Sequence, residues 1–130
     1  MKKLKNKIMA ITQDTAYGFG QLGSAFNDGT AAMTPPTGKV FVAITFLADT
    51  TLDSSGGLIA DTTYTASEGL EYVGTEAAAH NLSVASETAI SGGGGLQVDV
   101  SNTFPKGVTI YGRWTEIDPA SGMLIAYIGE

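Results

Sequence analysis

The stretch that decides the fold is Val108-Thr-Ile-Tyr-Gly-Arg-Trp-Thr-Glu-Ile-Asp-Pro-Ala-Ser-Gly-Met-Leu-Ile-Ala-Tyr-Ile-Gly129. Side chains of a strand point alternately to its two faces. Val108, Ile110, Gly112 and Trp114 therefore share one apolar face, and Thr109, Tyr111, Arg113 and Thr115 share a second, amphipathic one. Trp114, in line with Val108 and Ile110, reads as a core residue rather than an exposed recognition group. Asp118-Pro119-Ala120-Ser121-Gly122 carries turn chemistry: Asp suits the first position, Pro fixes φ, and Gly accepts the left-handed conformation that returns the chain to a strand. Met123–Ile128 is a continuous apolar run, too short for a typical helix and rich in branched and aromatic residues, which predicts a buried strand. The stretch thus predicts a β-hairpin that ties down the C-terminal segment.

Upstream, Val40–Leu47 is the strongest strand in the chain, apolar on both faces, and predicts a central strand covered on both sides. Leu58–Ala60, Thr62–Thr65 and Glu71–Val73 suggest shorter strand pieces. Leu96–Val100 alternates as a half-exposed strand. Glu76–His80 has only local helix propensity, and Gly92–Gly95 reads as a flexible joint or irregular loop. Residues 12–39, rich in Gly, Ala and Thr with Asn27-Asp28-Gly29 and Pro35-Pro36, read as loop with one short strand or extended arm. Tyr17, Phe19, Leu22 and Phe26 offer anchors for it on the body or on a neighbouring subunit, at a spacing that fits neither the helix nor the strand period. The fold class is all-β: a compact β-sandwich or barrel-like domain over 40–130, preceded by an N-terminal arm and loop segment over 1–39.

Composition agrees. Gly, Ala, Ser and Thr make up 58 of the 130 residues, which favours short strands and tight turns over long helices. Charged residues are 15%, against roughly 25% in average globular chains. Two readings explain this: a surface covered by neighbours in an assembly, where charge is depleted, or a Thr/Ser-covered β surface. Charge is also unevenly placed. Lys2, Lys3, Lys5 and Lys7 open the chain, whereas from Ile8 onward there are three basic and thirteen acidic residues, a formal charge of −10. A basic arm on an acidic body reads either as a solubilising terminus or as an arm that docks on an acidic surface. The acidic body argues against nucleic acid. No apolar run approaches the roughly 18–20 residues that span a bilayer, and the run from Ile8 to Ile11 is too short for a signal peptide's apolar core.

The sequence offers little chemistry. Without cysteine there is no disulfide, thiol nucleophile or thiolate metal site. His80 is the single histidine, and no Gly-x-Ser-x-Gly elbow accompanies it, so a catalytic triad is not expected. Asp49, Asp53 and Asp61 carry oxygens suited to Ca²⁺ but lack EF-hand spacing. Gly92–Gly95 precedes a strand, with no Lys-Ser/Thr, and is no phosphate-binding loop. Asn81-Leu82-Ser83 matches a glycosylation acceptor, a match that matters only in eukaryotic secretion. The expectation is a non-enzyme with no cofactor and no metal.

The ending Phe104-Pro105-Lys106-Gly107-Val108-Thr109-Ile110-Tyr111-Gly112-Arg113-Trp114, followed by a turn and Leu124-Ile-Ala-Tyr-Ile-Gly129, resembles that of head decoration (cement) proteins of tailed bacteriophages. It covers about a fifth of the chain. The resemblance implies a β-sandwich or barrel-like structural virion protein, often a homotrimer, that sits on the capsid surface, contacts the major capsid protein and stabilises the shell. It would be made in the bacterial host cytoplasm and work without nucleic-acid or membrane partners. The shared motif is structural and assigns no functional residues; the residues singled out for contact with capsid or subunit are the arm lysines Lys2, Lys3, Lys5 and Lys7. A phage fibre, tail or host-attachment module is the alternative, with exposed aromatics for carbohydrate. A small β-barrel enzyme or ligand-binding protein is the second.

Overall fold

The computed structural model describes residues 22–63, 72–75, 98 and 100–130. Among them it is all-β, without helix. The strands are β1 (Ser24–Asn27), β2 (Val40–Phe46), β3 (Thr51–Leu52), β4 (Leu58–Ala60), β5 (Thr109–Ile117), β6 (Pro119–Ser121) and β7 (Leu124–Gly129). Five of them form one antiparallel sheet in the order β1-β7-β2-β5-β4, and β3 and β6 form a small second sheet.

β2 lies at the centre, as its two apolar faces require. It pairs with β5 on one side and β7 on the other, and six of its seven residues are buried. The register breaks between Phe41 and Ala43 in both pairings. Residues two apart normally share a face; the irregularity lets Phe41 join Ile44 and Phe46 in the core while Ala43 turns to the opposite face.

The expected hairpin is corrected. β5 and β7 are not partners, because β2 separates them and both run antiparallel to it. The connecting residues do not close a tight turn either. Pro119–Ser121 leaves the large sheet and pairs with β3, with Thr51 opposite Ser121 and Leu52 opposite Pro119. Gly122 then turns the chain back at φ 102°, the left-handed geometry its sequence position suggested. A Cβ there would lie 2.3 Å from Thr50 Oγ1 and 2.6 Å from its Cα. The physical reason for the topology is burial: β2 offers two edges and two apolar faces, and filling both edges satisfies its backbone groups.

The core lies between the sheets: Phe41, Ile44, Phe46, Leu52, Leu58, Trp114, Ile117, Leu124 and Ile128, with Ala60 and Ala126. Trp114 is fully buried, and its indole N–H donates to the Val73 carbonyl (2.7 Å). Phe104 stacks on Phe46 with ring centroids 4.7 Å apart. β7 is not buried throughout. It alternates, with Leu124, Ala126 and Ile128 inward and Ile125 and Tyr127 half-exposed.

Part of the 1–39 segment belongs to the sheet. β1 pairs with β7, and Met33 exchanges backbone hydrogen bonds with Ile117 (2.8 and 3.0 Å). Of the shorter pieces, Leu58–Ala60 is a strand, whereas Thr62, Thr63, Tyr72, Val73, Val98 and Val100 lie outside strands. The rest of Thr62–Thr65, Glu71–Val73 and Leu96–Val100, and all of Glu76–His80 and Gly92–Gly95, fall outside the described residues.

Candidate functional site

Two places on the described surface combine side chains in a defined way. The first is the face of the large sheet turned away from the core. Register fixes its rows. Tyr111 on β5 and Tyr127 on β7 both stand opposite Ala43 on β2, and Ser24 on β1 follows Tyr127. The next row is Thr109, Thr45, Ile125 and Phe26. Ala43, Thr45, Thr109, Tyr111 and Tyr127 line an open depression of about 230 Å³. Its floor is Ala43, the smallest residue in its row, and the two phenols rise on either side. The Thr45 and Thr109 hydroxyls hydrogen-bond each other at 2.8 Å along one margin. Among the described residues no charged side chain lines it. Tyr111 is 69% exposed and Phe26 56%, so this face carries two large aromatic groups that the fold itself does not bury.

The second place is an ion-pair clamp at Glu130. Arg113 donates through Nε to Asp61 Oδ2 (3.1 Å) and through Nη1 to the Glu130 carbonyl. Lys39 Nζ bonds Glu130 Oε1 at 2.9 Å. Burial of Asp61 opposes its charge, but hydrogen bonds from the Thr63 side chain, from Arg113 and from the Thr63 backbone, together with the Arg113 charge, outweigh it and hold the carboxyl below its ordinary range. Glu130 is lowered by the Lys39 hydrogen bond and charge while remaining exposed. The clamp binds β2's approach, β4's exit and the end of β7 together, which is a structural arrangement.

Of the sequence candidates, Lys2, Lys3, Lys5 and Lys7 lie outside the described residues, as do His80 and Asn81–Ser83. Asp49, Asp53 and Asp61 do not converge. Asp49 accepts the Lys106 N–H (2.9 Å), Asp53 accepts the Ser55 N–H (3.1 Å) and Asp61 is held by Arg113. Among the described residues no three His, Cys, Asp or Glu side chains group together. The tyrosine depression was not singled out from sequence. The placement of Thr109 and Tyr111 on the non-core face was legible, but Tyr127 reads there as part of a buried run, and the register that sets it beside Ala43 has no local sequence signal.

No family model, curated protein or solved structure matches the chain.

Proposed function

We propose that the chain is a structural protein of a tailed-phage virion, which binds the outside of the head shell as a homotrimer, contacts the major capsid protein and reinforces the lattice without catalysing a reaction. The observation that carries this reading is the ending Phe104–Gly129. It supplies β5 and β7, the two strands that enclose β2, and the crossover through β6. The resemblance to head decoration proteins therefore falls on the framework of an all-β fold rather than on a peripheral loop.

Such a protein acts by mass action. It binds the assembled shell and not the disrupted one, and so shifts the equilibrium toward the shell. A trimer multiplies weak contacts by avidity. In this reading the lysine arm, Lys2, Lys3, Lys5 and Lys7, supplies a contact of opposite charge to an acidic shell surface. Individual exposed ion pairs are worth only about 0–1 kcal/mol, so several act together.

The test compares the full chain with a form lacking residues 1–7. Both are mixed with heads stripped of this protein, and occupancy is measured by sedimentation across a salt series. The full chain saturates the heads at a fixed stoichiometry. The truncated form folds normally but binds more weakly, and salt weakens the full chain more steeply because exposed charges are screened. No binding of the full chain to stripped heads overturns the reading. Equal occupancy of both forms at low salt removes the arm from it.

A further inference from the structure

We propose that the depression between Tyr111 and Tyr127 is a binding site for one ring of a neutral carbohydrate. The inference goes beyond shell binding and does not depend on it.

The first argument is geometry. Both tyrosines stand opposite the same Ala43, and neighbouring strands are spaced by about 4.8 Å. Their Cα atoms are thus separated by two strand spacings, with a methyl group as the floor between them. The depression, at about 230 Å³, is smaller than the roughly 300–1,000 Å³ of sites that enclose drug-sized ligands. It has room for a single sugar ring laid against an aromatic wall, the rest of the ligand remaining in water.

The second argument is chemical. A pyranose has a face of C–H groups polarised by neighbouring oxygens and a rim of hydroxyls. The C–H face suits the negative face of a phenol ring, and Tyr111 offers such a ring, 69% exposed. The rim needs both donors and acceptors. Of the two hydroxyl hydrogens on Thr45 and Thr109, one is used in their mutual bond; the second remains to donate, and lone pairs remain on both oxygens. The phenolic hydroxyls add donors and acceptors at the rim.

The third argument is charge. Among the described residues the lining holds no ionised side chain, and the chain from Ile8 onward carries a formal −10. An anionic sugar would meet repulsion with no cation in the site to offset it; a neutral sugar meets neither. The uncharged, part-aromatic, part-hydroxyl lining therefore fits a neutral hexose or N-acetylhexosamine.

The test is saturation-transfer NMR on the full chain with D-glucose, D-galactose, D-mannose and N-acetyl-D-glucosamine as probes, followed by ¹H–¹⁵N shift mapping with any that respond. The expected result is transfer to the C–H protons of one ring face, with shifts clustered at Ala43, Thr45, Thr109, Tyr111 and Tyr127 and a millimolar Kd. Tyr111→Ala should weaken binding at least about tenfold, while Tyr111→Phe retains the ring and most of the affinity. Ala43→Leu fills the floor and should abolish transfer while leaving the circular-dichroism spectrum unchanged. Absence of transfer from all four sugars overturns the proposal. So do shifts that map elsewhere, binding that survives Tyr111→Ala, and shifts at these five residues that follow protein dilution without sugar, which would assign the face to a second copy of the chain.

Discussion

Replacing Gly112 with alanine tests the core at its tightest point. Gly112 lies two residues before Trp114 on β5, on the same inward face, and the indole folds back over it. A Cβ added at 112 would sit 2.6 Å from Trp114 Cζ2, 2.9 Å from Cη2 and 3.1 Å from Cε2. These are carbons of the fused six-membered ring, and Trp114 is fully buried with its N–H committed to the Val73 carbonyl. The indole must move, and nothing flexible at its far end absorbs the shift. Overpacking of this kind costs about 1–3 kcal/mol, and loss of the indole hydrogen bond adds about 1 kcal/mol. Gly112 is not among the glycines with positive φ, so alanine is accepted by the backbone there and returns about 0.4–1 kcal/mol by restricting the unfolded chain. The balance is a net destabilisation of about 1–3 kcal/mol.

The assay is urea unfolding followed by the emission of the single tryptophan. Gly112→Ala should lower the midpoint with an unchanged slope and alter the native emission. The control is Trp114→Phe, which removes the fused ring. In that background, followed by circular dichroism, Gly112→Ala should be neutral or stabilising by up to about 1 kcal/mol. An equal cost in both backgrounds, or no cost with Trp114 in place, refutes the packing of the indole on Gly112.

Two further perturbations address the clamp and the crossover. Asp61 is held below its ordinary range, so its contribution to stability is full above the unfolded value of about 3.9 and is lost as pH falls through the lower folded value; Asp61→Asn should flatten the pH dependence of the urea midpoint in that acidic window, and an identical acid profile in the variant would show that the Arg113 pair does not shape it. Thr50 Oγ1 donates to the Ala48 carbonyl (2.8 Å) and accepts the Met123 N–H (3.2 Å), so Thr50→Val leaves a donor without its partner and should cost about 1–3 kcal/mol in thermal or urea unfolding, whereas an unchanged midpoint would mean that water replaces the hydroxyl.

The long strands β2, β5 and β7 were legible because they depend on local pattern, whereas β6 lies inside the expected turn. Val40–Leu47 becomes β2 at Val40–Phe46, and the inward parity of Ile110 and Trp114 follows from alternation on β5. Partnering was not legible. Asp118-Pro-Ala-Ser-Gly122 is a sound turn signal, and Gly122 does take positive φ, but turn chemistry says where the chain bends and not which edge it meets next. β6 pairs with β3, separated from it by some seventy residues, as the Thr51–Ser121 hydroxyl contact shows (2.7 Å). The same limit hid the tyrosine depression. Tyr111 and Tyr127 sit in different apolar runs, and only the insertion of β2 between them gives them Ala43 in common. The break at Phe41–Ala43 has no composition signal either, since Val40-Phe-Val-Ala is apolar at every position.

The break also links core and surface in one device. Without it Phe41 and Ala43 would share a face, so that either Phe41 would leave the core or Ala43 would enter it. With it, Phe41 packs among Trp114 and Ile128, its register partners, while Ala43 becomes the floor between two tyrosines. A β2 strand of unbroken alternation could supply a floor of this size or a large aromatic in the core at position 41, but not both. The crossover completes the arrangement. By sending Pro119–Ser121 to the second sheet, the chain returns β7 along the far edge of β2, parallel to β5, so Tyr111 and Tyr127 flank one residue instead of facing each other across a hairpin. The open face and the packed core are thus consequences of the same choice of partners for β2.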